Sequence, residues 1–201
     1  ISGEDNSVTH HREHGCTYEL DARTVFFSPR LSYERLRVAS QVQQGETVLD
    51  MFAGVGPYSI LIAKKQPESI VYAVELNPSA FRFLASNVLA NKVLGNVKSI
   101  GGDVGDVIRS GLTHRMDRVI MNLPGNASGF VDDACLSLRE DGGVIHFYSF
   151  ESAQNPGEAA SAKFGERVRA SGRELKSILA TRIVKAVAPY RVQVAVDALI
   201  D

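Results

Sequence analysis

The stretch Thr47-Val-Leu-Asp-Met-Phe-Ala-Gly-Val-Gly-Pro57 limits what this chain can fold into more than any other part of it. An apolar run, Val48, Leu49 and Met51 to Ala53, is broken by one carboxylate and leads into Gly54, Gly56 and a helical pattern. That order reads as a buried strand, a tight turn and a helix start, the first unit of a parallel α/β sheet. Lacking side chains, Gly54 and Gly56 can adopt positive φ and let a ligand approach the backbone. Pro57 suits the first helical position, where no amide donor is needed. Asp50 falls near the C-terminal edge of the strand, the edge at which open α/β sheets bind ligands. Alone, the glycine pattern also fits a βα turn that binds nothing.

From Gly45 onward strands and helices alternate, the pattern of a parallel sheet with crossover helices. Strands are expected over 47–53, 69–75, 97–102, 116–122, 142–149, 177–187 and 191–199, with helices over 57–65, 78–92, 103–111, 128–138 and 157–172. Only Ala188-Pro-Tyr190 joins the last two strands, too short a link for a parallel crossover, so they must pair antiparallel. Seven strands ending in an antiparallel hairpin differ from the all-parallel dinucleotide-binding sheet. The inventory is similar to the Rossmann-like sheet of class I S-adenosylmethionine-dependent methyltransferases.

Before that sheet, residues 1–15 are polar and read as irregular, and Cys16–Asp21 with Thr24–Phe27 reads as a hairpin about Ala22-Arg23. Ser32–Val42 follows as an amphipathic helix, with Leu36, Val38, Ala39 and Val42 toward the core and Glu34, Arg35 and Arg37 directed elsewhere. The expected division is a hairpin-and-helix segment, 1–44, ahead of a catalytic domain, 45–201. Beginning at Ile1, the chain is expected to be part of a longer one.

No run of about 18 apolar residues marks a membrane span. Cys16 and Cys135 suit neither a disulfide framework nor a zinc site, which points to a reducing cytoplasm. A net charge of −1 advertises no nucleic-acid partner, although a local basic patch would serve one. His10, His11 and His14 lie close together, but nothing is spaced to complete a metal set; solvated or RNA-facing histidines are the better reading.

Carboxylates and an amide mark the ends of the next strands. Glu75 can accept both hydroxyls of a ribose, a geometry shared by several adenosine nucleosides, or merely flank a helix. Asp103, after Gly101-Gly102, is placed to take an adenine exocyclic amine and is equally a good N-cap; the roles are compatible. Asn122, in Asn122-Leu-Pro124, would sit at the mouth of the sheet and offer an acceptor and two donors to a planar group. Pro124 stiffens the chain there.

Phe26-Phe-Ser-Pro-Arg-Leu-Ser-Tyr-Glu-Arg35, Asp50-Met-Phe-Ala-Gly-Val-Gly-Pro57 and Asn122-Leu-Pro124 together resemble the archaeal and eukaryal type of tRNA (guanine-N1)-methyltransferase, which modifies the guanosine 3′ of the anticodon, position 37. The resemblance covers nearly the whole chain. It implies that Glu34 removes the N1 proton and that Asn122 holds the base or orients Glu34. It also implies that Arg35, Asp50, Phe52, Gly54, Gly56, Glu75, Leu76, Asp103, Val104 and Asn122 contact S-adenosylmethionine, with Arg30 and Pro124 on the substrate side. The partner implied is tRNA at its anticodon region; a monomer without metal is expected. The family's N-terminal tRNA-recognition domain and an essential arginine are expected upstream of Ile1.

Guanine N1 carries a proton, so methylation needs a base and a donor for the charge that develops on O6. Glu34 suits the first task; the residues alone allow equally a surface pair with Arg35 or Arg37. Phe26, Phe27 and Tyr58 are candidates to stack on a base turned out of the RNA, and Arg30, Arg35, Arg37, Lys64 and Lys65 to meet phosphates. The nearest rival is the wyosine-pathway aminocarboxypropyl transferase using the same cofactor. Members of that branch resemble this chain but tend to carry Ser-x-Gly-Asn where it has Ser28-Pro-Arg-Leu31 and Gly-Ile-Gly-Tyr where it has Gly54-Val-Gly-Pro57. A nicotinamide-dependent oxidoreductase and a noncatalytic RNA-binding module are more distant readings.

Overall fold

The computed structural model describes residues 7–201. Strands β1 (Val8–Glu13) and β2 (Cys16–Asp21) form a hairpin, followed by helix α1 (Ser32–Gln41). The main body continues with β3 (Thr47–Asp50), α2 (Pro57–Lys65), β4 (Ile70–Glu75), α3 (Pro78–Ala90), β5 (Val97–Gly101) and α4 (Val104–Val107). Then come β6 (Arg118–Met121), α5 (Val131–Ser137), β7 (Gly143–Ser152), α6 (Pro156–Ala170), β8 (Leu175–Ala188) and β9 (Arg191–Ile200).

The seven strands of the main sheet run in the order β5-β4-β3-β6-β7-β9-β8. The first five are parallel, and β9 runs antiparallel to both β7 and β8, as the short Ala188–Tyr190 link requires. Two apolar clusters cover the two faces. One joins Phe147, Phe164, Val168 and Val131 on the α5 and α6 side; the other joins Ile60, Ile62, Leu84 and Tyr148 with Tyr18, Val38 and Ala39. The hairpin and α1 thus pack into the same core as α2 and α3. Asn87 of α3 and Asn91, which caps its C-terminus, add polar ties, each bonding the backbone of β2 through both its oxygen and its amide nitrogen.

The N-terminal hairpin differs from the sequence expectation. The partner of β2 is β1, turned at His14 and Gly15, whose φ values of +47° and +75° suit a two-residue turn. Thr24–Phe27 forms no strand; the amides of Thr24 and Val25 close a turn on the Asp21 carbonyl. β1 escapes a pattern search because its residues are polar on both faces, and only β2 alternates apolar residues, Cys16, Tyr18 and Leu20, into the core. Residues 1–6 of the stretch read as irregular lie outside the described residues. Helices 103–111 and 128–138 are also shorter than expected: α4 passes into a π-turn at Ile108–Leu112, and a 3₁₀ turn at Ala127–Phe130 precedes α5. On α1 the polar face differs from expectation: Glu34 and Arg35 are buried with Val38 and Ala39.

Candidate functional site

The C-terminal ends of β3, β4 and β6 open on a cavity of about 700 Å³. Of the residues expected from sequence, Phe52, Gly54, Glu75, Leu76, Asp103, Val104, Asn122 and Pro124 line it, with Phe26, Phe130 and Phe150 as further walls. Phe52 and Phe130 meet edge to face at 5.1 Å and close the apolar side. Gly54 is at φ +57° and Gly56 at +91°, so the turn that carries the rim depends on the left-handed backbone that glycine adopts freely.

The acidic groups are pre-set by backbone donors. One Glu75 oxygen accepts the Gly54 amide and the other the Asn77 amide, each at 2.7 Å. Each oxygen keeps a lone pair, so the carboxylate can accept two more donors, such as vicinal hydroxyls. Asp103 caps α4 with one oxygen, which takes the amides of Gly105 and Asp106, while the other accepts no hydrogen bond among the described residues and can take a ligand donor. With flat apolar walls, this set fits an adenosine-like ligand: a diol at Glu75, an exocyclic amine at Asp103 and a ring between side chains.

Asp50 and Gly56 do not line the cavity. Asp50 is wholly buried beneath the turn and accepts the Ser59 hydroxyl at 2.6 Å, while its other oxygen has no partner among the described residues. Burial pushes its carboxyl up to about 7 against the Ser59 hydrogen bond. Gly56 is needed for packing: a Cβ there would come within 2.7 Å of Leu84 and 2.9 Å of Ile60.

Arg35, expected at the cofactor, is instead 1% exposed and held by Glu13 at 2.5 and 2.6 Å, with the Ser28 carbonyl as a further acceptor. Arg30 is exposed beside α1 and does not line the cavity. Glu34, expected to hang over the cavity mouth, is 3% exposed and also absent from its lining. Its carboxylate takes the Arg37 fork at 2.6 and 3.0 Å and the Tyr148 hydroxyl at 2.7 Å. Arg37 also grips Asp197, which accepts from His146 at 2.7 Å. Burial alone would raise the Asp197 carboxyl, but bonds from His146 and Arg37 outweigh it and hold the group well below the carboxylate range. Arg35 and Arg37 are thus structural cations rather than phosphate contacts. Tyr58 is likewise core, 3% exposed, whereas Phe26 stands 76% exposed at the cavity.

The histidines are separate. His11 bonds Glu13 and His14 bonds Ser32, and no group of three or more metal-ligating side chains forms among the described residues. Nor is any helix among them long and apolar enough to cross a membrane.

Two buried residues were missed by sequence reasoning. Gln193 donates to the Asn122 side-chain oxygen at 3.3 Å, and Tyr148 donates to Glu34. These partners lie 71 and 114 positions apart, so no local pattern announces them.

Residues 9–175 match the TRM5/TYW2 methyltransferase domain. The chain is 41% identical over 197 residues to the tRNA (guanine(37)-N(1))-methyltransferase Trm5b of Pyrococcus abyssi, covering 98% of this chain and 57% of that protein. The crystal structure of that Trm5b superposes with a TM-score of 0.88 at 40% identity, over 100% of this chain and 58% of that one. To the tRNA 4-demethylwyosine(37)-methyltransferase Taw21 of Saccharolobus solfataricus it is 39% identical, covering 98% of this chain and 71% of that protein. M. jannaschii TYW2, solved in complex with AdoMet, superposes with a TM-score of 0.89 at 31% identity, over 100% of this chain and 89% of that one. The chain therefore spans between half and three quarters of the length of these two curated relatives.

Proposed function

From the premise that this chain belongs to the TRM5/TYW2 methyltransferase family, we propose that it directs the methyl group of S-adenosylmethionine to N1 of guanosine 37 in tRNA. The observation that carries this reading is the meeting of Glu75, Asp103 and Asn122 around one apolar cavity at the sheet edge. Glu75 would hold the ribose hydroxyls and Asp103 the adenine amine, with Leu76, Val104 and Phe52 along the ring. When bound, S-adenosylmethionine supplies an electrophilic methyl group on a sulfonium centre. Asp50 stands under the glycine turn and supports the site from below.

The chain's own groups handle the proton. With the Asn122 oxygen engaged by Gln193, the Asn122 amide nitrogen is left to donate toward O6 of the base, where negative charge grows as N1 is deprotonated. Glu34, buried and outside the cavity lining in the free protein, would accept the N1 proton once bound tRNA uncovers it, its carboxylate becoming a carboxylic acid. Phe26, exposed at the cavity, is the aromatic placed to stack on the extruded guanine. The proposal includes a cytoplasmic monomer that engages the anticodon region, with Arg30 and Pro124 on the substrate side.

The test is to incubate the whole protein with S-adenosylmethionine and a tRNA transcript bearing guanosine 37, then determine the mass and position of the group added. One methyl on N1 is expected, and none when nucleotide 37 is changed. An aminocarboxypropyl group, or no modification, would overturn the reading. The likeness to Taw21 favours a second substrate at the same position, 4-demethylwyosine, which the same assay checks on tRNA carrying that base.

A further inference from the structure

The position of Glu34 follows from one row of the sheet. Tyr148 of β7 lies opposite Ala195 of β9, which in turn lies opposite Arg182 of β8. Tyr148 and Ala195 share the apolar cluster that contains Val38 and Ala39 of α1, so this row faces α1. Ala195 is the small residue of the row, and the Glu34 carboxylate reaches both of its neighbours: the Tyr148 hydroxyl at 2.7 Å and the Arg182 guanidinium at 3.7 Å.

The two carboxylate oxygens are not equivalent. Oε1 accepts from the Tyr148 hydroxyl at 2.7 Å and from Arg37 Nη2 at 2.6 Å, which uses both of its in-plane lone pairs. Among the described residues, Oε2 accepts a hydrogen bond from Arg37 Nε at 3.0 Å and from no other donor. Arg182 Nε, 3.7 Å from Oε2, is beyond hydrogen-bond reach and has no other partner among the described residues. One lone pair of Oε2 therefore remains open. The Arg182 guanidinium beside Oε2 also covers the exposed Tyr33 ring, at 5.5 Å from its centroid.

We propose that Tyr148 is a positioning residue that anchors Oε1 of Glu34 and so makes Oε2 the oxygen that takes the substrate proton. The inference rests on the base role proposed above for Glu34. Tyr148 suits the task because it is fully buried on a strand paired along both edges, and the Tyr58 hydroxyl at 3.4 Å restricts its own hydroxyl. A group fixed by the sheet thus sets the angle of a side chain carried by a helix. Without the hydroxyl, the Arg37 fork still holds both oxygens, but Oε1 then also has an unfilled lone pair, so the open acceptor position is shared between the two oxygens.

The test compares Tyr148→Phe, Glu34→Gln and the double variant in single-turnover methylation by the whole protein, with KM for tRNA and S-adenosylmethionine measured beside kcat. Tyr18→Phe is the control, removing another buried hydroxyl, one that bonds the Pro57 carbonyl and does not touch Glu34. Tyr148→Phe is expected to lower the single-turnover rate about ten-fold, the value of one buried hydrogen bond, with both KM values within about two-fold of wild type. In the Glu34→Gln background it is expected to add no further loss, and Tyr18→Phe to leave the rate unchanged. A wild-type rate for Tyr148→Phe beside an inactive Glu34→Gln would overturn the role of Tyr148 alone, as would an equal loss from Tyr18→Phe. An active Glu34→Gln would instead overturn the base assignment from which it proceeds.

Discussion

Replacing Arg37 with methionine takes the cation from between two buried carboxylates while keeping much of the side-chain volume. Arg37 is 12% exposed, and its partners Glu34 and Asp197 are 3% and 2% exposed. Breaking a buried ion pair by removing one partner costs about 3–5 kcal/mol, because an uncompensated charge stays behind. Here both carboxylates keep something: Asp197 retains His146 and Gln41, and Glu34 retains Tyr148. The low end, about 3 kcal/mol, is therefore expected, which for a chain of this size corresponds to a fall of about 6–12 °C in Tm. Thermal and urea unfolding at pH 7.5 would measure it. The pH dependence is a second reading of the same network. Asp197 is held below its unfolded value in the fold, so its contribution is complete above the ordinary carboxylate range and fades as pH falls toward the folded value. The gap between wild type and Arg37→Met should stay level from neutral pH down to about pH 5 and narrow below about pH 4. A loss under about 1 kcal/mol, the worth of an exposed pair, or a gap that widens in acid, would refute the buried network as described.

Asp50→Asn should trade function for stability: the wild-type carboxyl, pushed up to about 7, is costly to ionise in the fold. A gain on the order of 4 kcal/mol is expected at pH 8 and should vanish below about pH 3, where both states are protonated; urea unfolding across pH decides it. Gly56→Ala combines a φ of +91° with overlap on Leu84 and Ile60 and should cost about 1–3 kcal/mol in unfolding experiments. For Glu75→Gln the loss of one charged acceptor should weaken S-adenosylmethionine about 10- to 100-fold by titration calorimetry. Unchanged affinity there would remove Glu75 from the ribose contact.

Features local in sequence were legible. Thr47 to Pro57 shows its strand, turn and helix because apolar run, glycines and proline are adjacent, and the final hairpin follows from a link of only Ala188, Pro189 and Tyr190. Glu75, Asp103 and Asn122 could be put at one sheet edge because each stands at the end of its own strand. What stayed hidden depends on contacts across the chain. β1 carries no apolar alternation, so only its pairing with β2 reveals it as a strand. Glu34, Arg35 and Arg37 look like surface charges on a helix; their burial comes from Glu13, Tyr148 and Asp197, up to 160 positions away. Periodicity reports how polar a face is, and a face buried through mutual ion pairs reads as polar.

Whether the cavity ringed by Glu75, Asp103 and Asn122 takes S-adenosylmethionine decides the proposed function. Calorimetric titration of the protein with that nucleoside, and in parallel with NAD, addresses this most directly, using Glu75→Ala/Asp103→Ala as the comparison. Saturable binding of one S-adenosylmethionine per chain is expected, lost in the double variant, with no heat from NAD. Undiminished binding by the double variant, or a preference for NAD, would contradict it.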